Sequence, residues 1–157
     1  MWAQVSEFFA HNADEQTPLR AELGARWTHW TSSPDFSVLA EPAPPVFGQG
    51  DPNLTNCLWD HGRLRLIDFE YAGWSNQPYE LALLIEHVQS RHTPDTVWQV
   101  LLDQSNLSAA GRRRTLAARR LVAWFWVKTF WPATNTDDAR FDDQARRVMR
   151  VLDVPAL

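Results

Sequence analysis

Residues Val46 to Glu86 read VFGQGDPNLTNCLWDHGRLRLIDFEYAGWSNQPYELALLIE. Within this stretch Asn56 to Asp60 and Arg63 to Ile67 are short runs rich in apolar residues, separated by His61-Gly62. Two linking residues that end in glycine read as a tight hairpin turn, because the turn that matches strand twist needs positive φ. That register sets Trp59 against Leu64 and Cys57 against Leu66 on one face, with Leu58 and Arg65 on the other. Folding back brings Asn56, just before the first strand, beside Asp68, just after the second, at the open end of the hairpin.

Oxygen-bearing side chains that converge in this way suit a hard divalent cation. Mg²⁺ takes oxygen ligands, keeps several waters, and uses one or two protein side chains plus the phosphates of its partner. Asn56 and Asp68 meet that need. Asp51 lies in a loop preceded by Gly48 and Gly50 and followed by Pro52, so its carboxylate approaches from the side. An acid near a metal but not bound to it accepts or orients the proton of an attacking hydroxyl.

Gly50-Asp51-Pro52-Asn53-Leu54-Thr55-Asn56, followed by Leu66-Ile67-Asp68-Phe69-Glu70-Tyr71-Ala72-Gly73, resembles the catalytic core of the aminoglycoside phosphotransferase and choline kinase superfamily, relatives of protein kinases. The later Tyr79-Glu80-Leu81-Ala82 is similar to the versions that phosphorylate small metabolites. Carried over by position, the resemblance implies that Asp51 is the catalytic aspartate. It implies too that Asn56 and Asp68 hold Mg²⁺ and, through it, the ATP co-substrate. The family loop usually begins His-Gly-Asp, and Gln49 stands where that histidine, usually a structural residue, is expected. Glutamine also forms hydrogen bonds. The resemblance covers the C-terminal lobe alone. No Gly-rich strand pair precedes it, and the single lysine of the chain is Lys128.

The fold expected is mainly α with a small β-hairpin, an α+β C-terminal lobe of a protein-kinase-like fold with its N-terminal lobe absent. It forms one domain over 1–157. Residues 1–45 hold leading helices and a Pro-rich connector, 46–73 the catalytic loop, hairpin and metal-binding segment, and 74–157 a helical subdomain. At 157 residues, with 45% apolar and 22% charged side chains, the chain has the composition of a folded globular domain. Nine tryptophans either dominate the core or line an aromatic pocket. A net charge of -4 argues against nucleic-acid binding. One cysteine excludes an internal disulfide and a Cys-based zinc site. The start shows no basic leader or long apolar run, so the expectation is a cytoplasmic protein without a membrane segment.

Residues 2–11 carry Trp2, Val5, Phe8 and Phe9 at helical spacing. Thr17 caps a second helix, with Pro18 in its first turn and Leu19, Leu23, Trp27 and Trp30 on one face. Periodicity favours a core stripe for these tryptophans over a cage for a cationic substrate. Ser32 to Pro45 reads as a connector without regular structure, Val46-Phe47 as a brief strand, and Asp68 to Pro78 as an irregular loop. Glu70 is either a further carboxylate at the metal or substrate or a solvated loop acid. Tyr79 to Arg91 is a helix with Leu81, Leu84, Ile85 and Val88 on its apolar side, and His87 reads as a structural residue of that helix. Thr93-Pro94-Asp95 caps a helix bearing Val97, Val100 and Leu101. Ser108 starts a long one, closed by Pro132. Arg112, Arg113, Arg114, Arg119 and Arg120 read as its solvated face and its second half as buried on several sides; the resemblance implies that part of that half borders the acceptor pocket. Thr136-Asp137-Asp138 begins the last helix, striped by Phe141, Ala145, Val148 and Leu152.

Two functional readings follow. In the first, the chain transfers the γ-phosphate of ATP to a hydroxyl of a small-molecule acceptor such as an aminoglycoside, choline or a similar metabolite, weakly or not at all without an N-terminal lobe. In the second, it is a non-catalytic remnant or binding module that keeps the fold of the lobe. Either way, the surface left by a missing lobe predicts self-association.

Overall fold

Two helices lead the chain because each turns apolar residues at helical spacing towards the core. A computed structural model describes residues 1–12, 17–131 and 138–155. α1 (Trp2–His11) buries Val5 and Phe9, four residues apart on one side. α2 (Pro18–Thr31) starts where the Thr17 hydroxyl accepts from the Arg20 N–H at 3.4 Å, and it buries Leu23, Trp27 and Trp30. Both tryptophans belong to the core.

The connector that follows is not irregular throughout. Ser33 caps α3 (Pro34–Ser37) through the Phe36 N–H at 3.4 Å, and a 3₁₀ turn continues over Val38–Ala40. A serine followed by proline is a helix start, and that local signal outweighs the proline content of the segment.

Four short strands come next: β1 (Pro45–Gly48), β2 (Cys57–Asp60), β3 (Arg63–Leu66) and β4 (Gly73–Asn76). β2 and β3 pair antiparallel with Trp59 opposite Leu64 and Cys57 opposite Leu66, the register expected. His61 and Gly62 take φ of 46° and 79°, the two positive values the tight turn requires. β4 corrects the loop expected there: it pairs antiparallel with β1, and Phe47 lies opposite Trp74. Their rings meet edge to face at 6.4 Å, a cross-strand contact that offsets poor strand formers on either side.

α4 (Gln77–Glu86) begins with the Asn76 side chain accepting from the Tyr79 N–H at 3.1 Å, two residues earlier than expected. It stops at Glu86 rather than running to Arg91. The chain then leaves the helix at His87 and closes a 3₁₀ turn over Val88–Ser90. Its buried side is Ala82, Leu83 and Ile85, while Leu81 and Leu84 are half-buried. α5 (Asp95–Gln104) buries Trp98 and leaves Val97 and Val100 exposed, so its anchor is the tryptophan and not the valines.

α6 (Ala109–Thr129), capped by the Ser108 hydroxyl on the Gly111 N–H at 3.1 Å, is the axis of the molecule. Leu121, Trp124 and Val127 join α1 and α2 to Phe141, Ala145 and Val148 of α7 (Ala139–Asp153). Phe9 stacks on Trp27 with centroids 5.1 Å apart and meets Trp124 edge-on at 5.0 Å. Such ring pairs contribute about 0.5–1.5 kcal/mol each beyond the area they bury. On another face of α6, Ala118 and Val122 pack on Ala82 and Leu83 of α4, where small side chains let the helices lie close. α7 is capped by Asp138. Thr136 and Asp137, read as part of that start, and Pro132, read as the end of α6, lie outside the described residues.

The arginines of α6 are chiefly braces and not a solvated face. Arg114 donates to the carbonyls of Val38, Leu39 and Glu41. Arg119 Nε reaches Glu86 at 2.8 Å, where Arg147 of α7 arrives at 2.6 Å, and the Glu86 side chain is fully buried between them. Arg120 pairs with Asp35 and donates to the carbonyls of Val151, Leu152 and Val154, which the end of α7 leaves without helical partners. Among the described residues no helix is long and apolar enough to cross a membrane.

Candidate active site

The site assembles at the open end of the β2–β3 ribbon. The ladder extends by one bond beyond the strands, from the Ile67 N–H to the Asn56 carbonyl at 3.0 Å, so Asn56 and Asp68 are held side by side through the backbone. Asn56 sits at the end of a 3₁₀ turn over Leu54–Asn56 and is buried. Its Nδ2 donates to Asp51 Oδ2 at 3.1 Å and to the Asp51 carbonyl at 3.2 Å. With Nδ2 engaged on Asp51, Oδ1 is the side-chain atom left to serve as an oxygen ligand.

Asp68 is exposed and has φ of 59°, a left-handed backbone that is uncommon outside glycine and that aspartate adopts more readily than most residues. Gln49 ties this segment down. Its Nε2 donates to the Asp68 carbonyl at 2.7 Å and to that of Ile67 at 3.2 Å, while its Oε1 accepts from the Asp51 N–H at 2.8 Å. One amide thus ties the loop of Asp51 to the segment of Asp68. Among the described residues no cation lies within pairing distance of the Asp68 carboxylate.

Gly50 makes the crossing possible. It has φ of +81°, and a Cβ there would lie 2.2 Å from the Tyr71 carbonyl oxygen, a backbone atom that cannot swing aside. Gly48 leaves room of another kind, for the Glu80 carboxylate.

The sequence motifs therefore meet as expected in part. Asp51 and Asn56 touch directly, and Asp68 joins them through its backbone while its carboxylate faces solvent. Glu70 is exposed, and among the described residues no partner holds it at the site. The motif reading missed His87, whose Nε2 lies 3.8 Å from Asp51 Oδ1. Burial lowers the His87 pKa, and the Asp51 charge pulls it back up. No local signal identifies His87, since its contact with Asp51 spans the ribbon and α4.

Beside Asp51 opens a cleft of about 370 Å³. Tyr71, Leu83, His87, Phe125 and Trp126 are among its walls, which are mostly apolar with one carboxylate at the edge. Lys128 is on α6 outside that lining.

Oxygen donors without sulfur or imidazole are what Mg²⁺ prefers, and two side chains suffice when phosphates and waters complete its shell. Asn56 and Asp68 fit that description. Among the described residues no cluster of three or more His, Cys, Asp or Glu forms a cage for a metal held by protein alone.

No family model matches the sequence, and no curated protein matches it. The fold is similar to a solved structure, that of a choline/ethanolamine kinase family protein from Mesorhizobium loti, with a TM-score of 0.68 over 98% of this chain at 18% identity. This chain covers 55% of that one, so it spans about half of its length. At this identity the likeness establishes the fold, which is kinase-like and α+β.

Proposed function

We propose that the chain is the acceptor- and metal-holding part of a small-molecule phosphotransferase. What supports this is one observation: Asp51 and Asn56 are hydrogen-bonded at the end of a ribbon from which Asp68 projects on a constrained backbone, beside an aromatic cleft. The acceptor hydroxyl enters the cleft and faces Asp51. As its oxygen bonds to the γ-phosphorus of ATP and the bond to the bridging oxygen breaks, its proton passes to the Asp51 carboxylate and ADP leaves. Asn56 and Asp68 are the residues to hold Mg²⁺, which when bound neutralises charge on the phosphoryl oxygens. Apolar walls keep water, a competing acceptor, from the hydroxyl's place. Small hydroxylated metabolites, among them choline-like amines and aminoglycosides, are the acceptor class this reading expects.

A thermal-shift titration with Mg²⁺ and ATP tests it, since a ligand that binds the native state raises stability. The expected result is a metal-dependent rise that Asp68→Ala abolishes. The same rise in that variant would remove the metal assignment.

A second reading, a non-catalytic binding module, is favoured by Trp59 and Trp74, which are 74% and 80% exposed on the two ribbons. The occupant it expects is a second copy of the chain. Sedimentation velocity should then show dimers that grow with concentration, and a monomer throughout would sink it.

A further inference from the structure

We infer that His87 is a positioning residue for Asp51, and that together with Gln89 it seats the loop from Asp51 to Asn56 against the end of α4. This rests on reading Asp51 as the catalytic aspartate. The geometry comes from the break after Glu86. His87 takes φ of -59° and ψ of 141°, and its Nδ1 accepts from the Gln89 N–H at 3.3 Å. A neutral ring that accepts at Nδ1 carries its proton on Nε2, and that N–H faces Asp51 Oδ1 at 3.8 Å. The distance exceeds a hydrogen bond, so the attraction is between a carboxylate charge and a fixed dipole.

The ring has little freedom to turn away. Its side chain is 10% exposed, and Trp126 of α6 meets it edge to face at 5.4 Å. Two residues further on, Gln89 Oε1 accepts from the Leu54 N–H at 3.0 Å, at the start of the 3₁₀ turn that presents Asn56. His87 and Gln89 thus hold the loop at two points. The Asp51 carboxylate is met on Oδ1 by His87 and on Oδ2 by Asn56, which selects one orientation before any substrate arrives. A group oriented in advance loses no freedom at the moment of reaction.

Three variants of the full chain test this. His87→Phe keeps ring and volume but removes the N–H, His87→Gln keeps a donor, and Asp51→Asn removes the charge that faces the ring. In a transfer assay with Mg²⁺, ATP and a hydroxylated acceptor, His87→Phe should lower kcat about tenfold with KM for ATP unchanged, and His87→Gln should recover most of it. By NMR, Asp51→Asn should move the His87 ring titration to lower pH. Wild-type kcat in His87→Phe, or equal loss in both His87 variants, overturns the inference. If Asp51→Asn transfers phosphate like the wild type, the reading of Asp51 fails instead. If the chain transfers none, the NMR arm decides, and a His87 titration indifferent to Asp51→Asn refutes the contact.

Discussion

The helices and the ribbons of this molecule are held together by different physics. Around α6, aromatic and aliphatic side chains from α1, α2 and α7 are buried against one another, with Trp124, Leu23 and Val127 fully inaccessible. Between Phe47 and Trp74 the large apolar residues face outward, Trp59, Leu64, Phe69 and Tyr71 among them, and β3 is exposed along its whole length. What fixes the ribbons is chiefly polar: the Gln49 amide, the Asn56 side chain and backbone pairing, with the Phe47–Trp74 ring contact beside them. The helical part therefore sets stability, and the ribbon part sets where three oxygen donors sit. Damage to one should leave the other legible.

The largest loss is expected from Trp124→Ala, which empties the centre of the aromatic core and should lower stability by about 4 kcal/mol in a denaturant titration. Glu86→Ala comes next, at about 3 kcal/mol, because it strands two part-buried guanidinium groups, Arg119 and Arg147. Gly50→Ala should cost about 2 kcal/mol through positive φ and the clash with Tyr71. Unlike the helical variants, it should also abolish any ATP-dependent thermal shift.

Smaller still is a pH effect. Burial holds the His87 pKa below its ordinary 6.5, so below that pH the unfolded chain takes up a proton that the native site resists. This contribution is fully present above pH 6.5 and is lost as pH falls through it. Denaturation series from pH 8 to pH 5 should show the decline in wild type and a flatter profile in His87→Phe. Trp59→Ser, at a side chain 74% exposed, should change stability by less than about 0.5 kcal/mol. A larger loss there would mean that the ribbon face is covered.

The sequence was most readable where neighbours in the chain are neighbours in space. His61-Gly62 specified the hairpin and its register, and Thr17 and Ser108 marked helix starts by caps that reach only three residues. Of the candidate site, the adjacency of Asn56 and Asp68 was legible because a ribbon of defined turn brings its two ends together. Long-range partners were not legible. β4 looked like a loop because Gly73 and Asn76 are poor strand formers, and its partner β1 lies on the far side of the hairpin. Arg114, Arg119 and Arg120 looked solvated because the carbonyls and carboxylates they brace belong to other helices and turns. His87 looked like one more helical residue because no periodicity announces a break made by a side chain capping its own chain.

Gln49 carries a consequence for the conditions under which the site keeps its shape. A carboxamide neither gains nor loses a proton in the range where proteins fold, whereas an imidazole in that place would change its donors and acceptors near neutrality. The knot between the strands of the site is thus insensitive to acidity, and any response to pH must enter through the side chains around it.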